Sequence, residues 1–228
     1  MKMMKISVLV LTVSLFANTW VHGQIRAITE KGDTIYVYNN GTWSFTLEDT
    51  PPEAPGALDY LSETLTIDTI KTPFVFNKNA NKEITTELQF FKIKYDEKAW
   101  DRVPPGDYNE NAEFAFKSNT RDIYCIVIPE ELEIGNENIL KIALNSFKEN
   151  TGGEVEILKI EQRTVNGVEV LRGVFKMEIS GLNLIFDSYY YSSTKGTVQF
   201  TTWTAVNIWE KYESEILNLL NGLVILDN

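Results

Sequence analysis

Apolar and polar residues alternate along 90–95, the two-residue period of a β-strand with one face buried, and 113–117 and 123–128 read as further strands. Trp100 follows a turn over 96–98, and Pro104-Pro105 break the chain before Gly106. A different period appears next. Ile139, Leu140, Ala143, Leu144 and Phe147 recur at helical spacing, predicting an amphipathic helix from about Asn136 to the Gly152-Gly153 pair. Four further strands are expected over 154–205, and a closing helix over 208–220. Asn207 is the expected N-cap of that helix, with Glu210 at the capping-box position and Trp209, Tyr212, Ile216, Leu219 and Leu220 as its apolar stripe.

The first third of the chain is organised differently. Residues 25–29 and 34–38 are short β-type runs, and Asn40-Gly41 before 42–47 carries a hairpin signal. A two-residue loop there sets Tyr38 opposite Trp43 and Tyr36 opposite Phe45, giving a small aromatic meander that must dock on the rest of the chain or on a partner. Pro51, Pro52 and Pro55 among acids make 48–56 a stiff linker; 58–82 is weakly patterned, with a loop at 77–81. Ahead of all this, Lys2 and Lys5, the apolar run 6–16 and the small-residue exit Val21-His22-Gly23 have the build of a secretory signal. The expected organisation is therefore a signal over 1–23, a meander over 24–47, a connection over 48–87 and a main domain over 88–228.

Turn chemistry gives the expected register of the last four strands. Asn166-Gly167 as a two-residue loop pairs Arg163 with Val170, Glu161 with Arg172, Lys159 with Val174 and Ile157 with Lys176. Gly181-Leu182 as the next loop pairs Lys176 with Asp187, Val174 with Tyr189 and Arg172 with Tyr191. A longer turn around 193–196 sets Tyr189 opposite Gln199, Asp187 opposite Thr201 and Ile185 opposite Trp203. Alternation then sorts side chains onto two faces. One collects Leu171, Phe175, Met177, Phe186, Tyr190, Val198 and Phe200 and is a core; the other collects Arg172, Lys176, Asp187, Tyr189, Tyr191, Gln199 and Trp203.

Composition narrows the chemistry. The 228 residues hold 21 Lys+Arg and 32 Asp+Glu, a net charge of −11 that disfavours phosphate backbones and anionic lipid. Cleavage after Gly23 would remove two lysines and the one histidine, leaving 19 basic and 32 acidic residues and a net of −13. Without imidazole and with a single cysteine, a Ser-His-Asp triad, a Cys-His dyad and a His/Cys zinc site are excluded for the processed chain. Cys125, within an apolar run, is read as a small buried hydrophobe. After the signal no apolar stretch approaches the roughly 20 residues of a membrane span, and no cysteine follows the cleavage region to take a lipid anchor. The expected location is the periplasm or the exterior.

The order of elements, with Lys94-Tyr95-Asp96-x-x-x-Trp100, Val165-Asn166-Gly167-x-x-Val170-Leu171, Tyr189-Tyr190-Tyr191-x-x-x-x-Gly196-x-x-x-Gln199 and Leu219-Leu220-Asn221-Gly222-Leu223, resembles the PsbP-like fold. Photosystem PsbP proteins, nuclear-transport Ran-binding factors and bacterial periplasmic DcrB-type proteins share it. The resemblance covers roughly 88–225 and implies an α+β fold, a three-layer α/β/α sandwich around an antiparallel sheet, here preceded by an extra N-terminal meander. It also implies a binding or accessory domain without catalysis, and offers no ligand motif to carry over.

Candidate sites are few. Asp107-Tyr108-Asn109-Glu110-Asn111 begins like a calcium loop, but Ala112 and Ser118 stand where glycine and glutamate are required. Glu130-Glu131-x-Glu133 and Glu154-x-Glu156 supply carboxylates for a glycan hydrolase only if two of them flank a cleft. The constellation of interest is Arg172, Lys176, Asp187, Tyr189, Tyr191, Gln199 and Trp203, charges among aromatics on one sheet face, of the kind that contacts protein, peptide or glycan partners. The competing expectation is that a helix or the meander packs over these rings. The reading is a secreted, non-catalytic binding domain of a bacterial envelope, contacting an envelope protein or a small ligand, with no cofactor, no metal, no nucleic acid and no membrane span. A carboxylate-based hydrolase of envelope glycans and a carrier of a small lipophile are the alternatives.

Overall fold

The computed structural model describes residues 25–28, 34–37, 43–44, 46, 61, 64–152 and 154–226; the expected signal lies outside these residues. The chain divides into two compact units, Met1–Ala57 and Leu58–Asn228.

In the first unit β1 (Ile25–Ile28), β2 (Thr34–Val37) and β3 (Trp43–Ser44) pair antiparallel in that order. The β2–β3 register differs by one from a two-residue Asn40-Gly41 loop: Tyr36 faces Ser44 and Val37 faces Trp43. Tyr38, Asn40, Gly41 and Phe45 of the expected hairpin lie outside the described residues.

The second unit is built on an eight-stranded sheet in the order β4-β10-β11-β12-β13-β9-β8-β7. Its strands are β4 (Asp68–Phe74), β7 (Trp100–Val103), β8 (Phe114–Ser118), β9 (Tyr124–Glu130), β10 (Val155–Val165), β11 (Val168–Ile179), β12 (Leu182–Ser193) and β13 (Gly196–Ala205). Neighbours run antiparallel except β4, which lies parallel to β10. A smaller antiparallel sheet joins β5 (Lys82–Thr85), β6 (Phe91–Tyr95) and β14 (Leu223–Ile225). The stretch read as a connection over 48–87 thus supplies one strand to each sheet of this unit.

Two helices complete the layers. Helix α1 (Asn136–Thr151) covers one face of β10–β12 through Ile139, Leu140, Ala143 and Leu144, which meet Ile160, Leu171, Phe175 and Tyr190. It ends at Gly152 in the left-handed conformation, as the glycine pair predicts. Helix α2 (Val206–Leu220) lies on the opposite face against β12 and β13, and with the small sheet closes a second core around Phe91, Ile93, Val174, Tyr189, Phe200 and Ile216. Its start differs from expectation: β13 continues to Ala205, which is the N-cap, and no side chain caps the helix, so Asn207 already lies inside it. The result is an α/β/α sandwich with both sheet faces built as core.

The register explains which residues share a face. Asn166 and Gly167 both have positive φ, and the pairs Arg163–Val170, Glu161–Arg172 and Lys159–Val174 form as expected. A bulge at Leu158 then moves Ile157 opposite Phe175 and Glu156 opposite Lys176. The next turn is Ser180-Gly181, both at positive φ, rather than Gly181-Leu182. Partners therefore change but faces do not: Arg172 lies opposite Tyr189, Val174 opposite Asp187, and Lys176 opposite Ile185. The third turn is a two-residue loop, Thr194-Lys195, closed by Ser193 and Gly196. This single-residue difference inverts β13, placing Phe200 opposite Tyr189, Gln199 opposite Tyr190 and Trp203 opposite Phe186.

Candidate functional site

The seven residues expected on one face separate into three places. Arg172, Asp187 and Tyr189 are fully buried beneath α2. Arg172 donates from Nε to Asp187 Oδ1 at 2.8 Å and from its terminal nitrogen to Asp187 Oδ2 at 2.6 Å and Glu213 Oε1 at 2.6 Å. A third acid, Glu161, accepts from Arg172 at 3.3 Å and from Arg163 Nε at 2.8 Å. Trp209 Nε1 donates to Asp187 at 3.0 Å, and Tyr189 donates to Asn221 Oδ1 at 2.7 Å. Tyr191 is only partly buried and packs against the same core. Lys176 is apart from this cluster, paired with Glu156 at 2.9 Å on the surface.

Electrostatics agree with a closed network. Burial opposes the Arg172 cation, yet its bonds to Asp187 and Glu213 more than compensate and hold it protonated. Partial burial raises the Glu213 carboxyl, but hydrogen bonds from Arg172 and Lys159 outweigh it and leave the group below the ordinary glutamate range. Burial pushes the Tyr189 phenol up to about 12. Every charge here is matched inside the protein, leaving nothing to offer a ligand. Cys125 is likewise buried, and its thiol is pushed up by burial, as expected of an inert core cysteine.

Gln199 and Trp203 sit on the other face, where the open surface is. Eight strands at about 4.8 Å spacing span roughly 34 Å, whereas one helix is about 10–12 Å across. Helix α1 covers β10–β12 and leaves a cleft of about 410 Å³ beside it, over β13 and β9. Ile126, Ile128, Gln199, Thr201, Trp203 and Phe186 make its floor; Ile142, Ser146, Phe147 and Asn150 of α1 make one wall, and Tyr108 and Asn109 the other. No ionisable acid or base lines it, the phenol of Tyr108 aside.

An aromatic row crosses this floor. Phe186, Trp203 and Tyr124 are directly paired on β12, β13 and β9. Their rings stack, Phe186 on Trp203 at 6.2 Å and 18°, Trp203 on Tyr124 at 5.7 Å and 20°. Phe147 of α1 extends the row at 4.8 Å from Phe186, Lys117 ends it with Nζ 5.4 Å from the Tyr124 ring, and Tyr108 meets Trp203 edge-on at 5.7 Å. The next row along the sheet is Ser188, Thr201 and Ile126, and the one after it Tyr190, Gln199 and Ile128. Ser188 and Tyr190 are fully buried, two residues apart on the same face of β12, with their hydroxyls beside each other. Burial pushes the Tyr190 phenol well up. Ladder and cleft escaped sequence reasoning because both depend on the parity of the β12–β13 turn.

The other candidate motifs fall elsewhere. Positions 8–12 of the calcium-like stretch are strand β8, and Asn109 Oδ1 is taken by the Asn111 amide at 2.8 Å. Among the described residues no group of three or more His, Cys, Asp or Glu could hold a metal ion. Glu130 and Glu131 lie with Glu87 and Glu113 along an open groove, where Glu113 accepts from the Thr86 hydroxyl at 2.5 Å and the Glu87 amide at 2.7 Å. Among the described residues no helix is long and apolar enough to cross a membrane.

Fold and site together define a three-layer α/β/α sandwich with an uncharged cleft on its α1 face. The chain is similar to several solved structures. It is similar to the cyanobacterial PsbP of Synechocystis sp. PCC 6803, at 11% identity and a TM-score of 0.49 over 66% of this chain and 95% of that one. It is similar also to the Ran-binding protein Mog1p of Saccharomyces cerevisiae, at 10% identity and a TM-score of 0.45 over 64% and 95%, and to LpqN of Mycobacterium tuberculosis, a protein involved in cell envelope biogenesis, at 10% and 0.44 over 68% and 90%. These likenesses concern fold alone. No family model and no curated protein matches the sequence.

Proposed function

We propose that this chain is a secreted, non-catalytic binding domain of a bacterial cell envelope, and that it takes an uncharged envelope component into the cleft beside α1. The observation that carries this reading is the cleft itself, apolar in its floor, rimmed by neutral amides and hydroxyls, and within the usual 300–1,000 Å³ of ligand sites. Acid–base catalysis needs a titrating group within reach of the reacting atoms, and no carboxylate lines this cleft. Export is supported by the basic and apolar pattern of 1–23. The proposed partner surface is the α1 face of the sheet, which holds Gln199 and Trp203, and not the α2 face, where Arg172 is closed in.

The test is retention of envelope material by immobilised protein, comparing wild type with Trp203→Ala and with Lys176→Ala. Loss with Trp203→Ala and normal retention with Lys176→Ala is expected. Equal retention by all three would place the contact outside the cleft.

A further inference from the structure

The geometry points to a peptide as the occupant: an uncharged, extended segment that puts apolar side chains on the isoleucine floor and hydrogen-bonds its backbone to the cleft's carboxamides. This rests on the cleft reading above and names its ligand.

Charge sets the first limit. A chain of net −11 repels anions, and a cleft without an acid or a base would leave any buried ion unpaired. Shape sets the second. Ile126 and Ile128 face Ile142 and Phe147 across the cleft, so apolar walls stand on both sides of whatever enters. A saccharide, polar at both edges, would bury hydroxyls against these walls. It would also lack a platform, because the rings of Phe186, Trp203 and Tyr124 cover one another's faces. Unused polar groups set the third limit. Gln199 and Thr201, both on the cleft floor, make no side-chain hydrogen bond to another described residue. A plain lipophile would leave both unmatched. Carboxamides carry one donor side and one acceptor side, which is the complement of a peptide group. Gln199 on the floor offers both sides to a bound backbone; Asn109 on one wall adds its nitrogen, its oxygen being held by the Asn111 amide, and Asn150 on the other adds its oxygen, its nitrogen donating to the Ser146 carbonyl.

The probe is an N-acetylated, C-amidated pentapeptide of leucine and serine, titrated into the ¹⁵N-labelled full chain. Expected are amide shifts at 126–128, 199–201 and 146–150, an affinity at least fivefold weaker in Gln199→Leu, and no binding in Ala143→Phe, whose ring narrows the cleft. Thermal melting of both variants separates lost binding from lost fold. A glutamate-containing version of the peptide should bind at least tenfold more weakly. Absence of shifts with the neutral peptide, or undiminished affinity in folded Gln199→Leu, overturns the peptide assignment. Shifts of the same amides by cellotetraose and not by the peptide would also overturn it while leaving the cleft a binding site. Failure of the cleft reading itself would show separately, as envelope material retained equally by Trp203→Ala.

Discussion

Asn166 does two jobs with one residue. Its positive φ makes the β10–β11 turn, while its side-chain nitrogen donates to the carbonyls of Asn221 at 2.8 Å and Leu223 at 2.7 Å and its Oδ1 accepts from the Phe76 amide at 2.9 Å. Asn166→Asp keeps a residue tolerant of the turn but aims a carboxylate at two carbonyl oxygens. It should lower stability by about 2–4 kcal/mol in urea unfolding. Arg172→Met strands Asp187 and Glu213 beside each other without their cation, and a loss of about 3–5 kcal/mol is expected. Tyr189 supplies a pH signature. Its folded pKa of about 12 lies above the ordinary phenol value near 10, so the unfolded chain ionises first as pH rises. The stability it contributes is complete below pH ~10 and is lost between ~10 and ~12, by roughly 2–3 kcal/mol, and Tyr189→Phe should flatten that fall. Fluorescence-monitored unfolding across this range reads it out.

At the scale of elements, turns decided what could be read from sequence. Asn-Gly advertises two positive φ values, so the first hairpin register was legible down to the bulge at Leu158. Ser180 has no such chemistry, yet sits at φ 53°, and the second register moved by a whole alternation, which spared the faces. Gly196 pointed to a longer turn than exists. It is a strand residue required because a Cβ there would lie 2.6 Å from the Glu130 carbonyl, and the one-residue difference turned β13 over. The two helices and the core of β11 were legible from period alone; the cleft, assembled from β9, β12, β13, α1 and the Tyr108 turn, was not. Helix α2 is anchored to the sheet through Glu213, whose depressed carboxyl contributes stability above the glutamate range and loses it as pH falls through its folded value. Acidification should lower the melting temperature more in wild type than in Glu213→Gln. After α2, Gly222 is held where a Cβ would meet the Lys94 carbonyl oxygen and the Leu219 oxygen, both backbone. Gly222→Ala should cost more than 3 kcal/mol in chemical unfolding, whereas Gly106→Ala, with open space around it, should change it by less than ~1 kcal/mol.

For the whole molecule, the division at Ala57 and Leu58 gives a direct test of autonomy. The segment Leu58–Asn228 contains both sheets and both helices of its unit, and it should unfold in one cooperative transition when produced alone. A broad, non-cooperative melt would show that the first unit is needed. Strand pairing also sets how this unit must fold. Ile93 pairs with Leu223 about 130 residues later, and Asp68 with Glu161 about 90 residues later, so the small sheet cannot close until its last strand is available. Such separations place refolding in the slow, millisecond-to-second class of non-local topologies. A nascent chain lacking β14 has no partner for that edge of β6, and so stays unfinished while it is being made. If the chain is exported as proposed, that delay keeps the polypeptide threadable until the far side of the membrane is reached.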